Sequence, residues 1–355
     1  AGHPCAIMGT LGARFGEHVW PLTNTTPLAH ELHELLATVR AAGATHVAME
    51  VSSHALALHR VDDVRFAVAV LTNVTHDHLD FHGTFEAYAA CKHRLFTMAA
   101  ERVLNLDDPQ GALWASEFPT AIGYGVEREA AVRAAHVVLD PAGSRFEVNG
   151  VPIGIALPGM FNVANALAAL AAARALGVDE RRAAAGLATL DVVPGRMERV
   201  ADDEVGVFVD YAHTPDALAR CLNAIRDITH GTLTVVFGCG GDRDRGKRPV
   251  MGRIAAELAD RVIVTSDNPR GEQPNAIIAE IVAGIDRATR ERRTDVIPAR
   301  EEAIRHAIVA ARRGDSVLIA GKGHETYQIS GDQVIHFDDR EVARDALAAR
   351  VGAHS

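Results

Sequence analysis

An α/β fold in two units, each built on a mainly parallel sheet, is what this sequence predicts, and three observations predict it. Apolar runs of β character alternate with segments of helical periodicity along much of the chain. Aromatics make up only 5% of the 355 residues while alanine is abundant, a composition suited to helices packed on sheets rather than to a β-sandwich. The alternation breaks at Asp191-Val192-Val193-Pro194-Gly195-Arg196, which puts a boundary near Gly195 and divides the chain into 1–195 and 196–355.

In the first unit, Ala6 to Gly9 reads as a short strand and Leu28 to Ala42 as a helix. Thr45 to Val51 and Phe66 to Val74 are β-like, and Phe85 to Ala99 is helical again. This βα order calls for parallel pairing, because parallel neighbours need a crossover between them. Short β segments from Val137 to Leu157 flank Asn149-Gly150, so a hairpin is expected there. Two alanine-rich helices follow, Asn162 to Leu176 and Asp179 to Leu190. In the second unit, strands are expected at Val205–Val209, Leu233–Phe237, Arg261–Thr265, Asp295–Ile297 and Ser316–Ala320. Helices near 215–227, 250–259, 275–289 and 300–313 complete a doubly wound, Rossmann-like domain.

Composition narrows the function. A 48% apolar content is ample for two cores, and 36 basic against 46 acidic residues give a net charge of −10, which disfavours non-specific attraction to nucleic acid or an anionic membrane. Cys5, Cys91, Cys221 and Cys239 are far apart and form no CxxC pair, so neither a disulfide framework nor a cysteine metal site is indicated. No apolar run reaches the roughly 18 residues of a membrane span, and a cytoplasmic protein is expected. The start, Ala1-Gly2-His3-Pro4-Cys5, lacks a signal-peptide pattern and reads as the beginning of a fragment.

Two loops carry the strongest chemical signal. Gly240-Gly241-Asp242-Arg243-Asp244-Arg245-Gly246-Lys247-Arg248-Pro249 and Thr265-Ser266-Asp267-Asn268-Pro269-Arg270 each follow an apolar β run, so their arginines should project from one sheet edge, where α/β proteins place ligands. They suit a small, doubly charged substrate. A third loop, Thr75-His76-Asp77-His78-Leu79-Asp80-Phe81-His82-Gly83, could hold a hydrated divalent cation, orient a phosphate or simply cap the helix starting near Thr84. It narrowly misses the His-x-His-x-Asp-His zinc motif of metallo-β-lactamase-like hydrolases, because Phe81 separates Asp80 from His82. Glu50 ends the preceding strand and could share a metal with this loop. Lys92, taken alone, reads as an exposed lysine.

Eight motifs then occur in a telling order: Asn24-Thr25-Thr26-Pro27, Glu50-Val51-Ser52-Ser53-His54, Asn73 to Asp80, Pro194-Gly195-Arg196-Met197-Glu198, Asp210-Tyr211-Ala212-His213-Thr214-Pro215, Gly238 to Pro249, Asp267-Asn268-Pro269-Arg270 and Gly321-Lys322-Gly323-His324-Glu325. The set resembles the Mur ligases, and within them the members that add the third residue of the peptidoglycan stem peptide. The resemblance implies a central ATPase-like domain followed by a carboxyl-terminal Rossmann-like domain, ATP as co-substrate, Mg²⁺ and a monomer. It implies that ATP phosphorylates the D-glutamate carboxylate of UDP-N-acetylmuramoyl-L-alanyl-D-glutamate, and that an amine of meso-diaminopimelate attacks the acyl phosphate. The tetrahedral intermediate then collapses to an amide, ADP and phosphate. Such chemistry asks the protein for positioning and for cations where negative charge gathers.

By the same resemblance, Thr25, Thr26, Ser52 and Arg60 hold the UDP-muramoyl-dipeptide. Leu58 stands where the family often has a glutamine, which removes one polar contact. Lys92 matches the family's carbamylated lysine, N6-carboxylysine. Carbamylation needs a neutral amine, hence a site that lowers the lysine pKa, and the resulting carbamate shares Mg²⁺ with Glu50 and His78. Asn162, Asn165, Arg196, Asp210 and His213 match ATP-binding positions, although Asn162 also fits a helix cap. Arg270 is implied to read the distal carboxylate of diaminopimelate, a group lysine lacks, with Arg243, Asp267, Asn268, Pro269, Gly321 and Glu325 completing the pocket. Contacts from both sides of Gly195 imply domain closure.

One departure stands out. No G-x-x-G-K-[ST] phosphate loop occurs in the sequence. The resemblance places that loop, its helix and a uridine-binding domain before Ala1, so these residues are expected to be a truncated piece that does not ligate alone. The competing expectations are a non-catalytic substrate-binding relic and a metal-dependent hydrolase using the His-rich loop.

Overall fold

The computed structural model describes residues 2–75, 77–201 and 204–353; His76 of the His-rich motif lies outside them. In chain order the elements begin with β1 (Cys5–Gly9), β2 (Gly12–Phe15), β3 (His18–Trp20), α1 (Ala29–Ala41), β4 (His46–Met49) and α2 (Ser53–Ala57). There follow β5 (Phe66–Leu71), α3 (Leu79–His82), α4 (Phe85–Met98), β6 (Ala99–Asn105), α5 (Pro109–Glu117), β7 (Ile122–Gly125) and β8 (Val132–Arg133). Next come β9 (Ala135–Asp140), β10 (Gly143–Val148), β11 (Val151–Ile155), α6 (Met160–Ala175) and α7 (Glu180–Leu187). The last third holds β12 (Glu198–Ala201), β13 (Gly206–Asp210), α8 (Pro215–Arg226), β14 (Leu233–Phe237), α9 (Lys247–Leu258), β15 (Arg261–Val264) and α10 (Pro274–Val282). It closes with α11 (Arg287–Arg293), β16 (Thr294–Val296), α12 (Arg300–Ala310), β17 (Ser316–Ala320), β18 (Tyr327–Ser330), β19 (Gln333–His336) and α13 (Asp339–Ala353). None of the described helices is long and apolar enough to cross a membrane.

These elements form two units, one of Ala1–His136, Phe146–Ile153 and Val163–Leu187, the other of Val137–Arg145, Gly154–Asn162 and Ala188–Ser355. The first contains the sheets β3-β2-β1-β4 and β5-β6-β7-β8. β1 pairs parallel with β4, and β5 to β8 are parallel throughout. Leu32, Leu35 and Val39, spaced to share one face of α1, pack on Ala6 and Met8 of β1. Tyr88 and Phe96 of α4 cover Ala69, Leu71 and Leu104 together with Trp114. The expected hairpin also forms: Asn149 and Gly150 have φ of 48° and 78°, the left-handed pair that a tight turn between β10 and β11 requires.

The second unit carries a six-stranded sheet of order β12-β13-β17-β14-β15-β16, parallel apart from β12. Its inner strands β13, β17, β14 and β15 are apolar on both faces, as a sheet covered by helices on both sides demands. Val235 and Phe237 face Leu222, Met251 and Ile281, whereas Val236 faces Ile304, Ile308 and Ala343. The carboxyl ends of β13, β17, β14 and β15 therefore share one edge, and the loops leaving it carry the chemistry.

Several expectations need correction. The helix expected over 275–289 is two helices, because the chain leaves α10 at Ala283 and Asp286 caps α11 by accepting from Thr289 N at 3.0 Å. β6 was not expected: it begins at Ala99, directly after α4, with no glycine or proline to mark the change. β2 and β3 have four and three residues, too few to show alternation. The β18–β19 hairpin and α13 were likewise absent from the sequence-based account.

Candidate active site

In the first unit the called residues converge on the end of β4. Thr26 is fully buried; its hydroxyl donates to the Glu50 carbonyl at 2.9 Å and accepts from Ser52 N at 3.0 Å. The Thr26 carbonyl in turn accepts from the Arg60 guanidinium at 3.0 Å. Thr10, which sequence reasoning missed, donates its hydroxyl to Glu50 Oε2 at 2.7 Å and lies 3.3 Å from the Thr25 hydroxyl. Gly9 makes this approach possible, since a Cβ there would sit 2.5 Å from Glu50 Oε1. Ser52 also caps α2, its hydroxyl oxygen accepting from Ala55 N at 3.2 Å. Thr25, Thr26, Glu50, Ser52 and Arg60 thus form one connected cluster.

The His-rich loop packs rather than dangles. His78, at φ 53°, sits with its ring 4.8 Å from His54 and 6.3 Å from Tyr88. His54 also meets Phe81 at 4.3 Å, and His82 Nε2 lies 2.9 Å from the Ser53 hydroxyl. Capping of α4 falls to Thr84, whose hydroxyl accepts from Ala87 N at 3.2 Å, and not to the histidines or aspartates. Lys92 is not an exposed lysine: it is half-buried on α4, with its ammonium 5.2 Å from the Tyr88 ring centroid. Burial lowers the Lys92 pKa against the opposing pull of Asp77, Cys91 and Asp108, which makes the neutral amine easier to reach. Tyr88, placed between His78 and Lys92, has its own pKa pushed up to about 12 by burial first and the Asp77 charge second. Among the described residues no three His, Cys, Asp or Glu side chains are grouped to hold a metal.

In the second unit Arg196, Asp210 and His213 gather at the end of β13. Asp210 is buried and accepts from Met197 N at 2.7 Å; burial raises its pKa, with that hydrogen bond and Arg196 opposing. The Arg196 guanidinium lies 5.2 Å from the Tyr211 ring centroid, and His213 Nδ1 is 2.8 Å from the Tyr211 carbonyl. Lys247 donates to the His213 carbonyl at 2.8 Å. Gly195 has φ 64°, and a Cβ there would lie 2.1 Å from His324 N, so only glycine lets the two motifs touch. Asn162 is not a cap: it lies inside α6, buried, its amide donating to the Pro158 carbonyl at 2.8 Å. Asn165 is exposed on the same helix.

The Asp267 to Arg270 loop leaves β15 beside β14 and β17. Asp267, Asn268 and Pro269 are buried, Arg270 half-buried. Arg270 adopts φ 51°, costly for a side-chain-bearing residue. Its backbone is held by β18, with Arg270 N donating to the Ile329 carbonyl at 3.1 Å and Gly331 N to the Arg270 carbonyl at 2.7 Å. The guanidinium donates to the Gly241 carbonyl at 3.0 Å and meets no carboxylate among the described residues. Asn268 donates to Glu325 Oε2 at 2.8 Å and accepts from Ile329 N at 3.0 Å. Gly321, at φ 118°, brings the chain past Asp267, and Arg243 stays exposed, donating to the Asp242 carbonyl at 2.9 Å.

Beneath this loop lie cations that sequence reasoning missed. Lys322 is fully buried, its ammonium 3.3 Å from both Asn268 Oδ1 and Glu325 Oε2. Arg300 is buried and bidentate to Asp339, both contacts at 2.7 Å, with Asp267 Oδ2 at 4.0 Å. Lys322 stands inside a motif already quoted, so its position was visible although its role was not.

Residues 2–173 match the Mur ligase middle domain and residues 195–323 the Mur ligase glutamate ligase domain. The chain belongs to the Mur ligase family. A UDP-N-acetylmuramoyl-L-alanyl-D-glutamate–2,6-diaminopimelate ligase of Syntrophomonas wolfei is 46% identical, over 99% of this chain and 74% of that protein. A ligase of the same name from Gloeobacter violaceus is 48% identical, over 98% of this chain and 72% of that one. A solved structure described as the same ligase superposes with a TM-score of 0.70 at 39% identity, covering 98% of this chain and 73% of that one.

Proposed function

We propose that this Mur ligase joins meso-diaminopimelate to UDP-N-acetylmuramoyl-L-alanyl-D-glutamate at the expense of ATP, through an acyl phosphate. The observation that carries the amino-acid choice is Arg270, a guanidinium clamped in a left-handed backbone yet without a carboxylate partner among the described residues. A planar fork of that kind grips a carboxylate through two bonds, and the distal carboxylate of diaminopimelate is what lysine lacks. Asp267 and Glu325 supply negative charge for the substrate's ammonium groups, with Asn268 setting Glu325.

At the acceptor side, Arg60, Ser52 and Thr25 bind the UDP-muramoyl-dipeptide, and buried Thr26 holds them in register. Bound Mg²⁺ would bring charge neutralisation to the phosphoryl oxygens. Oxygen donors suit it, and the described residues fit it only if Lys92 carries a carbamate beside Glu50 and His78. The lowered Lys92 pKa supports that modification. Arg196, Asp210 and His213, with Asn162 and Asn165, are assigned to ATP. We take 1–195 and 196–355 as the working domains; one family match ends at 173 and the next starts at 195, while 137–145, 154–162 and 188–195 group with the second unit in the structure.

The test is ATP-dependent ligation by the protein expressed from its own gene, with diaminopimelate and lysine compared. Arg270→Lys should lower kcat/KM for diaminopimelate by on the order of 10²-fold or more, as expected when a built ion pair loses its reader. Unchanged selectivity would refute the role.

A further inference from the structure

The loops after β14 and β15 are locked together by a second ionic network, which meets the assigned residues Arg243, Asn268, Pro269 and Arg270 only through backbone carbonyls. Arg248 is fully buried. Its guanidinium takes both oxygens of Glu272, at 2.7 and 2.9 Å, a Glu280 oxygen at 2.9 Å and the Gly240 carbonyl at 3.2 Å. Glu272 in turn accepts from Asp242 N at 2.7 Å. The tie is reciprocal, since the Asp242 carboxylate accepts from Gly271 N at 2.9 Å. Gly241 sits between Asp242 and the Gly240 carbonyl that Arg248 holds; its N–H donates to the Asn268 carbonyl at 2.9 Å and its carbonyl receives the Arg270 guanidinium at 3.0 Å. Asp242 and Arg270 both hold left-handed backbones, φ 53° and 51°, conformations that persist where surrounding structure over-determines them.

We propose that Glu272, braced by Arg248, is a positioning residue for amino-acid selection: it fixes the Gly241 carbonyl that aims Arg270 at the substrate's distal carboxylate. The inference rests on the amino-acid choice proposed above and extends it to residues that never touch the substrate. Arg248 stays paired with Glu280 when Glu272 is neutralised, although Glu280 then serves both Arg248 and the exposed Arg245. What loosens is the loop carrying Gly241. An arginine that wavers by an ångström still attracts an anion but no longer discriminates two carboxylates from one.

The experiment is steady-state ligation by the protein from its own gene, with Glu272→Gln, Arg270→Lys and the double variant. Glu272→Gln should raise the diaminopimelate KM roughly tenfold, the size expected for losing one charged hydrogen bond, and narrow the preference over lysine. The ATP KM should stay within about twofold, as for a site with no shared partner. In the Arg270→Lys background Glu272→Gln should have no further effect on preference, because it acts through Arg270. Asp242→Asn, an exposed change on the reciprocal tie that tolerates the left-handed backbone, should shift the diaminopimelate KM in the same direction. A lowered Tm with unchanged KM and preference, or effects of the two substitutions that simply add, would overturn the proposal. If the wild-type protein turns over lysine as readily as diaminopimelate, the amino-acid choice itself fails, and that is seen before any variant is made.

Discussion

The two clusters of chemistry are built on opposite plans. At the end of β15 the residues proposed to hold the amino acid rest on ion pairs with buried cations: Arg300 with Asp339, Lys322 with Glu325, Arg248 with Glu272. In the first unit, by contrast, Glu50 is held by the Thr10 and Thr26 hydroxyls, and Lys92 lies against the Tyr88 ring, where burial lowers its pKa. The first plan fixes geometry before any substrate arrives, as selection by a carboxylate requires. The second leaves a lysine whose charge burial opposes, and on the proposed reading a carbamate there would complete the ligand set.

The largest expected effect would break the comparison at Lys92. Lys92→Ala should reduce ligation by on the order of 10³-fold with substrate binding retained, the scale of losing a main electrostatic stabiliser. Carbon-13 NMR of the wild-type protein in labelled bicarbonate should show a carbamate signal that Lys92→Ala lacks. Absence of the signal at saturating bicarbonate would remove the modified lysine from the mechanism.

On the other side, Lys322→Met should cost about 3–5 kcal/mol of stability, because it strands Glu325 beside Asn268 without its buried partner. Denaturant unfolding measures this, and a loss below about 1 kcal/mol would show the pair to be solvent-screened. Thr10→Val is a smaller change: it frees Glu50 Oε2 and should lower kcat/KM several-fold, by about one hydrogen bond to a charged group, while the diaminopimelate preference stays put.

The mildest test uses acid. Its hydrogen bonds to Arg248 hold the Glu272 carboxyl at about 2, below the ordinary 4.5. The unfolded chain therefore binds that proton first, so the contribution to stability is complete above about 4.5 and is lost as the pH falls toward 2. The Tm difference between wild type and Glu272→Gln should narrow across that window. A constant difference would mean that the charge of Glu272 does not matter.

Local signals in the sequence determined a great deal. Apolar strands followed by charged loops placed Arg243, Asp267 and Arg270 on one sheet edge, and the family resemblance grouped Thr25, Thr26, Ser52 and Arg60, while Glu50, expected beside His78 and Lys92, joins that group through Thr10 and Thr26. Alternation and turn residues are properties of neighbours in the chain, and a sequence displays neighbours directly. Only the tertiary structure decided which charges are buried and with whom. Arg300 finds Asp339 across 39 positions and Lys322 finds Asn268 across 54, while Tyr88 separates His78 from Lys92. A lysine or arginine looks the same in sequence whether it is solvated or sealed in a core. Its energy depends on the dielectric around it and on partners brought close by the fold, and neither is written in the residues beside it.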